Sequence, residues 1–191
     1  MIIPIIRKAY YYLRGSYAYA LIYTYFRFGS TGAKRNLYVQ EVDHKGEGLF
    51  TNKAVKQGKV ICVANGPVRF GHFEGDDCYL FPNWYGIESG VWVEVEHPFV
   101  KINHGCTPNV GISDTRTFVA LRDIEADEEL AYDYSTSDDE IDWKMDCACE
   151  CSNCSGEIGS VQSISLERFD MSYPHMPKYF IKLYQKASQR N

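Results

Sequence analysis

The 191-residue sequence predicts a mostly β domain of α+β type, with helical segments appended at both ends. Three observations lead there. Apolar stretches between residues 37 and 134 are short, several alternate, and Gly, Asp or Pro interrupts them every few residues, which is the pattern of short strands and turns. No βαβ rhythm is present, and neither GxGxxG nor GxxxxGK occurs, so a doubly wound nucleotide-binding fold is excluded. Helical spacing of apolar residues is confined to the two ends.

Residues 1–35 form a first part, aromatic and basic. Tyr10, Leu13, Tyr17, Leu21 and Phe28 fall on one helical face, which suits an amphipathic helix packed on the body or on a partner. Basic residues with Tyr and Phe also suit a membrane surface. The run Ser16–Phe28 is preceded by Arg14, interrupted by Arg27 and too short to span a bilayer. Arg7 and Lys8 follow an apolar start, which reverses the order of a secretory signal. An intracellular, reducing setting in nucleus or cytoplasm is therefore expected, or a host cell if the protein is exported by a microbe or virus. GSTGAK at 29–34 reads as a linker, and no internal repeat is visible.

The second part, residues 36–135, opens with LYVQEV, which alternates as a strand does. Gly46-Glu47-Gly48 breaks the pattern and LFTN follows. A turn at Gln57-Gly58 precedes the apolar strand VICVA. GPVRFGHFEGDD is loop-like, and CYLF, GVWVEV, FVKI, TFVALRDI and EELAYDY continue the strand series. Residues 136–160 are first acidic and then rich in Cys. Residues 161–191 end in a helical tail: Pro177 suits the first helical position, and Tyr179, Leu183 and Lys186 continue the spacing.

Charge is unevenly divided. Residues 1–40 carry +6, so the remaining chain carries −11 behind a formal total of −5. An acidic body is poorly suited to neutralising phosphates, which argues against direct nucleic-acid binding and for a basic protein or peptide as partner. The acidic run Asp138, Asp139, Glu140, Asp142 and Asp146 is ordinary as a solvated loop, and is also a surface that would attract a Lys- and Arg-rich chain.

Four of the seven cysteines, Cys147, Cys149, Cys151 and Cys154, form CxCxCxxC within eight residues. In a reducing compartment such density reads as metal binding rather than disulfide formation. A tetrahedral zinc needs four ligands, and crowding them into eight residues strains one site, so a ligand from elsewhere is expected. Cys106, in the polar stretch Asn103-His104-Gly105-Cys106, is the best placed. Cys62 lies in an apolar strand and Cys78 in a loop.

Together these segments resemble the SET-domain protein lysine methyltransferases that carry a post-SET zinc motif. Gly46-Glu47-Gly48-Leu49-Phe50 is similar to the family's GxGLF. Lys101-Ile102-Asn103-His104-Gly105-Cys106-Thr107-Pro108-Asn109 is similar to RFINHSCxPN. Ala120-Leu121-Arg122-Asp123-Ile124 with Glu128-Glu129-Leu130-Ala131-Tyr132-Asp133-Tyr134 is similar to ALRDIxxGEELTYDY, and Cys147-Ala148-Cys149 with Cys154-Ser155-Gly156 to CxCxxxxCxG. The resemblance covers about residues 36–156. It implies a set of small β-sheets around a pseudoknot, with the NHxC segment lying against the YDY segment, and a SET domain at 36–135 followed by a post-SET segment at 136–160.

It also implies an activity, the S-adenosylmethionine-dependent transfer of methyl to a lysine amine of a basic protein such as a histone. Gly46, Glu47, Gly48 and Leu49 would hold the cofactor by backbone, with Asn103 and His104 contacting it. Tyr134 matches the catalytic tyrosine. Tyr132 matches the position that tunes how many methyl groups are added, and a Tyr there points to monomethylation. Cys106, Cys147, Cys149 and Cys154 match the zinc ligands. Cys151 is extra: a replacement for Cys149 or Cys154, or a free thiol. Val100-Lys101 and Gly105 depart from the motif, and CVANGP lacks the acid and Tyr of EYxGE, departures that bear on substrate. Asn103, His104 and Tyr134 are all present, which favours an enzyme over the alternative of an inactive SET-like zinc-binding interaction module.

Overall fold

The computed structural model describes residues 36–71 and 83–189. The expected helix at 1–35 and the CYLF strand lie outside them. In chain order the strands are β1 (Leu37–Val42), β2 (Gly46–Thr51), β3 (Val60–Val63), β4 (Val68–Phe70), β5 (Trp84–Glu88), β6 (Val91–Glu94), β7 (Asn103–His104), β8 (Val110–Ser113), β9 (Thr117–Ala120), β10 (Glu128–Tyr132), β11 (Met145–Asp146) and β12 (Glu157–Ile158). Two helices follow, α1 (Leu166–Ser172) and α2 (Lys178–Ser188). The fold is the mostly β one expected, made of small sheets: β1-β2-β10-β7, β3-β9-β8, β4-β6-β5 and β11-β12.

The first sheet positions the site. β1 and β2 pair antiparallel from Leu37↔Thr51 to Val42↔Gly46. The sequence suggested a break at Gly46-Glu47-Gly48, but the turn falls one step earlier. His44 and Gly46 take the left-handed φ values of 65° and 75° there, and β2 then runs through Gly48. β10 pairs antiparallel with β2 at Leu49↔Leu130, and β7 lies parallel to β10 with Asn103↔Ala131 and His104↔Tyr132. Motif residues 81 apart (Leu49 and Leu130) and 28 apart (Asn103 and Ala131) thus become neighbours on one sheet.

Phe99–Lys101, read as part of a strand, is a 3-10 turn. Phe99 and Ile102 are the buried residues and the two between are not, a spacing of three that alternation cannot satisfy. β4, β5 and β8 went unread because three to five residues carry too little periodicity. α1 falls within the helical tail expected at 161–191, although its own bounds were not read; Ser165 caps it by accepting from the Arg168 amide at 3.3 Å. Pro177 is the N-cap of α2, one position before the expected one, and the helix buries Phe180 and Tyr184 rather than the stripe through Lys186.

Two cores result. The main one joins the first three sheets through Leu49, Phe118, Ile112, Leu130, Val93 and Tyr132. The second, Val161, Ile164, Phe169, Met176, Phe180 and Tyr184, belongs to the C-terminal helices. They meet at Gly86: a Cβ there would lie 2.7 Å from the Phe180 ring and 2.6 Å from the Ser137 carbonyl, so only glycine lets α2 approach β5.

Candidate functional site

β10 ends at Tyr132, and Asp133 then caps a 3-10 turn, Tyr134–Ser137, by accepting from the Ser135 amide at 3.1 Å. The alternation of the strand sends Tyr132 into the core, and the turn brings Tyr134 back beside it with ring centroids 4.8 Å apart. Tyr134 donates its hydroxyl to the Ile102 carbonyl at 2.9 Å. Its backbone N–H donates to His104 Nδ1 at 3.2 Å. Burial pushes the Tyr134 hydroxyl up to about 12 and Tyr132 well above its usual range, so both are phenols, not phenolates.

Two cavities meet at this point. One, of about 180 Å³, is lined by aromatic residues including Tyr85, Trp92, Phe118 and Tyr132, with Asp138 and Glu140. The other, of about 220 Å³, is lined by His44, Lys45, Asn103, His104, Ala148 and Cys149 among others. Tyr134 and Met145 line both. The wall of the first cavity is mainly aromatic and aliphatic, with the carboxyls of Asp138 and Glu140 on it. Burial raises Asp138 to about 7, with Asp139 and Glu140 nearby adding to the rise.

Asn103 is held from two sides: its Nδ2 donates to Glu129 Oε1 at 2.8 Å and to the Glu47 carbonyl at 3.3 Å. Glu129 in turn accepts from Lys45 Nζ at 2.7 Å. Gly48 lies under this group, where a Cβ would stand 2.7 Å from Glu129 Oε1 and 3.2 Å from Asn103 Nδ2. Asn103 and His104 therefore line the second cavity, while Gly46, Glu47 and Gly48 stand next to it on β2 and Leu49 is core. The residues that wall it ahead of β2 are His44 and Lys45; Lys45 had no signal in the sequence beyond its place beside Gly46, and Glu129 stood inside the EELAYDY segment without a role assigned to it.

The structure brings Cys106 to the cysteine segment, and the close group of donors there includes His104 in place of the expected Cys154. One donor atom from each of His104, Cys106, Cys147 and Cys149 lies within 4.8 Å of the others. Cys106 Sγ is 3.6 Å from Cys147 Sγ, and the Cys147 thiol also interacts with that of Cys154. Cys149 Sγ is 3.3 Å from Cys151 Sγ. Burial opposes ionisation of Cys149, but the Cys106 and Cys151 amides and the neighbouring thiols outweigh it and bring it down to about 6. Cys62 is buried in the main core, and Cys78 lies outside the described residues.

His104 sits between this cluster and Tyr134. Burial holds it down at about 4, so the ring is neutral. Nδ1 accepts from Tyr134 N–H, which puts the ring proton on Nε2, and Nε2 faces Cys106 Sγ at 3.3 Å. A nitrogen that carries a proton donates to a thiolate; it does not ligate a metal. Asp133 Oδ1 is 3.6 Å from Nδ1 and makes no ion pair with a neutral ring.

Residues 46–135 match the family model described as the SET domain. A histone-lysine N-methyltransferase, H3 lysine-4 specific, of Emericella nidulans is 42% identical over an alignment covering 29% of this chain and 5% of that protein. The variant-silencing SET domain-containing protein of Plasmodium falciparum is 28% identical, covering 63% of this chain and 6% of that one. Among solved structures, KRYPTONITE in complex with mCHG DNA and SAH aligns with a TM-score of 0.53 and 21% identity, covering 64% of this chain and 28% of that one. The methyltransferase domain of human SETMAR aligns with a TM-score of 0.52 and 22% identity, covering 65% and 58%. The fold is thus that of the SET methyltransferase structures. The family match spans 90 of the 191 residues, a little under half of the chain. The chain spans 5–6% of the length of the curated relatives it matches.

Proposed function

We propose that this chain is an S-adenosylmethionine-dependent protein-lysine N-methyltransferase acting on a basic protein, a histone-like chain being the best candidate. The observation that carries the reading is the position of Tyr134, whose side of the protein borders both cavities at once. A transfer between two ligands that enter from different sides needs such a shared wall. S-adenosylmethionine, when bound, supplies an electrophilic methyl on a sulfonium. The second cavity suits it: Asn103 is fixed by Glu129 and Glu47, and the absence of a side chain at Gly48 leaves that arrangement undisturbed. The Emericella nidulans relative is named a histone-lysine N-methyltransferase, H3 lysine-4 specific, and KRYPTONITE has been solved with an H3(1–15) peptide and SAH.

The aromatic cavity would take the lysine side chain. Its apolar walls desolvate the amine and favour the neutral, nucleophilic form. Transfer is an in-line displacement, so the residues contribute alignment more than covalent chemistry. Tyr134 is the catalytic residue in this reading. Its hydroxyl is fixed by the Ile102 carbonyl, which keeps its oxygen lone pairs free to face the methyl and the amine. Tyr132, buried beside it, limits the room around the amine and favours monomethylation. Asp138 and Glu140 at the cavity suit a Lys- or Arg-rich substrate.

Four thiolates are a soft, tetrahedral donor set that suits zinc. With His104 Nε2 occupied by its proton, Cys106, Cys147, Cys149 and Cys154 are the proposed ligands, and Cys151 is left outside. The metal would tie Cys106, two residues after His104, to the segment that carries Met145 and Ala148 over the second cavity. Such thiols require a reducing setting, in keeping with a nuclear or cytoplasmic protein. Among the described residues no helix is long and apolar enough to cross a membrane.

The test is radiolabelled methyl transfer to core histones and to a cell lysate by the wild type and by Tyr134→Phe. Labelling of a protein lysine that falls by about 100-fold or more in the variant supports the reading. A wild type that binds S-adenosylmethionine and labels nothing overturns it.

A further inference from the structure

Arg168 lies on α1, outside residues 46–135, and its guanidinium is nearly buried, with 11% of the side chain exposed. It reaches back to the segment that carries Tyr134. Nη2 donates to Asp133 Oδ1 at 2.6 Å and Nε to Asp133 Oδ2 at 2.9 Å, a two-pronged pairing with a carboxylate whose side chain is 0% exposed. Nη2 also donates to Ser135 Oγ at 3.2 Å, and Nη1 to Ser155 Oγ at 3.1 Å. Ser155 Oγ is itself 3.3 Å from Cys106 Sγ. One cation therefore joins three segments: the turn that presents Tyr134, the cysteine segment, and the C-terminal helix.

The geometry points to Arg168 as a positioning residue for both the catalytic turn and the thiolate cluster. We infer that α1 completes the site from outside the SET domain. This inference rests on the methyltransferase reading for its catalytic half and on the donor geometry alone for its metal half.

The reason lies in what Asp133 does. It caps the turn Tyr134–Ser137, and without Arg168 its two oxygens would be a buried anion whose hydrogen-bond donor among the described residues is the Ser135 amide. Pairing on both oxygens fixes the carboxylate plane, hence the turn, hence where the Tyr134 ring stands. On the other side, Nη1 holds Ser155 Oγ, which lies 3.3 Å from Cys106 Sγ, so the same guanidinium fixes the cysteine segment against Cys106. A lysine in its place would keep the charge but not the planar fork, so it could not hold Asp133 and Ser155 together.

Three proteins separate positioning from mere stability: Arg168→Lys, Arg168→Met, and the double variant Asp133→Asn/Arg168→Met, which removes both buried charges. Each is compared with the wild type by thermal unfolding, by the rate of zinc release to a chromogenic chelator, and by kcat and KM for methyl transfer. The expected result is zinc release faster by about tenfold or more in Arg168→Lys and in the double variant, and kcat lower by about tenfold or more with KM for S-adenosylmethionine little changed, even where the melting temperature is regained. A double variant that regains both melting temperature and wild-type kcat, or an Arg168→Lys protein with unaltered zinc release and kcat, overturns the inference. If the wild type transfers no methyl, the methyltransferase reading fails instead, and the zinc-release comparison still decides the metal half.

Discussion

Tyr134 gives its hydroxyl proton to the carbonyl of Ile102 at 2.9 Å, the residue just ahead of the Asn103-His104 pair on β7. Tyr132, two residues earlier, has its phenol turned toward Ser137 and away from the second cavity. Two tyrosines with rings 4.8 Å apart therefore have different work. One borders both cavities, and the other fills only the aromatic one.

Tyr132→Phe should change the product more than the rate. Removing one hydroxyl from the wall of the aromatic cavity enlarges it and costs about 1 kcal/mol of stability at most. The expected product shifts from mono- toward di- and trimethyl-lysine, with the rate of the first transfer held within several-fold. Mass spectrometry of a methylated substrate after exhaustive reaction checks it; a distribution unchanged from the wild type contradicts the role given to Tyr132.

The two cysteines nearest in sequence should behave differently. Cys154→Ala should lose stoichiometric zinc and melt at a lower temperature, since a structural zinc contributes folding free energy directly. Cys151→Ala should keep zinc and melt near the wild type. Metal analysis of the purified proteins reads both, and the opposite pattern would place Cys151 in the ligand set.

Gly48→Ala is a small change with a definite consequence. The new methyl would stand 2.7 Å from Glu129 Oε1 and 2.8 Å from Val42 Cγ2, and Glu129 cannot move freely because Lys45 and Asn103 both hold it. The displacement passes to Asn103. Affinity for S-adenosylmethionine, measured calorimetrically, should fall by about tenfold, or about 1.4 kcal/mol, while the protein stays folded. Unchanged affinity would separate Asn103 from cofactor binding.

Asp138 makes stability depend on pH. Its folded pKa is raised from 3.8 to about 7, so the folded state binds the proton more tightly than the unfolded chain does. The stabilisation is complete below the ordinary carboxylate range and is lost as pH rises through about 7. Asp138→Asn should flatten that part of the profile. Urea unfolding midpoints compared between about pH 5.5 and 8, at fixed zinc, give the answer. Equal slopes in variant and wild type would show that Asp138 titrates normally.

The strands read best in the sequence were those with an uninterrupted pattern: LYVQEV as β1, VICV as β3, VWVE as β6 and EELAY as β10. Local chemistry suffices there, because alternation and β-branched residues specify a half-buried strand on their own. The motif residues Asn103, His104, Tyr132 and Tyr134 were legible for a different reason, their order and spacing as a set. Phe99–Lys101 was not legible as a turn, because FVKI has the composition of a strand and only the burial of Phe99 with Ile102 decides its shape.

What the sequence alone determined is the class: small sheets ahead of a helical C-terminal end, a cysteine cluster reaching for Cys106, and the tyrosines of the YDY segment. What only the tertiary structure decided is how those parts act on one another. The proton on His104 follows from the Tyr134 amide it faces, 30 residues away in the chain. The partner of Asp133 is Arg168, 35 residues on, in a helix with no motif. A residue's type states what it can donate or accept. Which group receives it is settled by the packing of distant segments, and no spacing in the sequence encodes that.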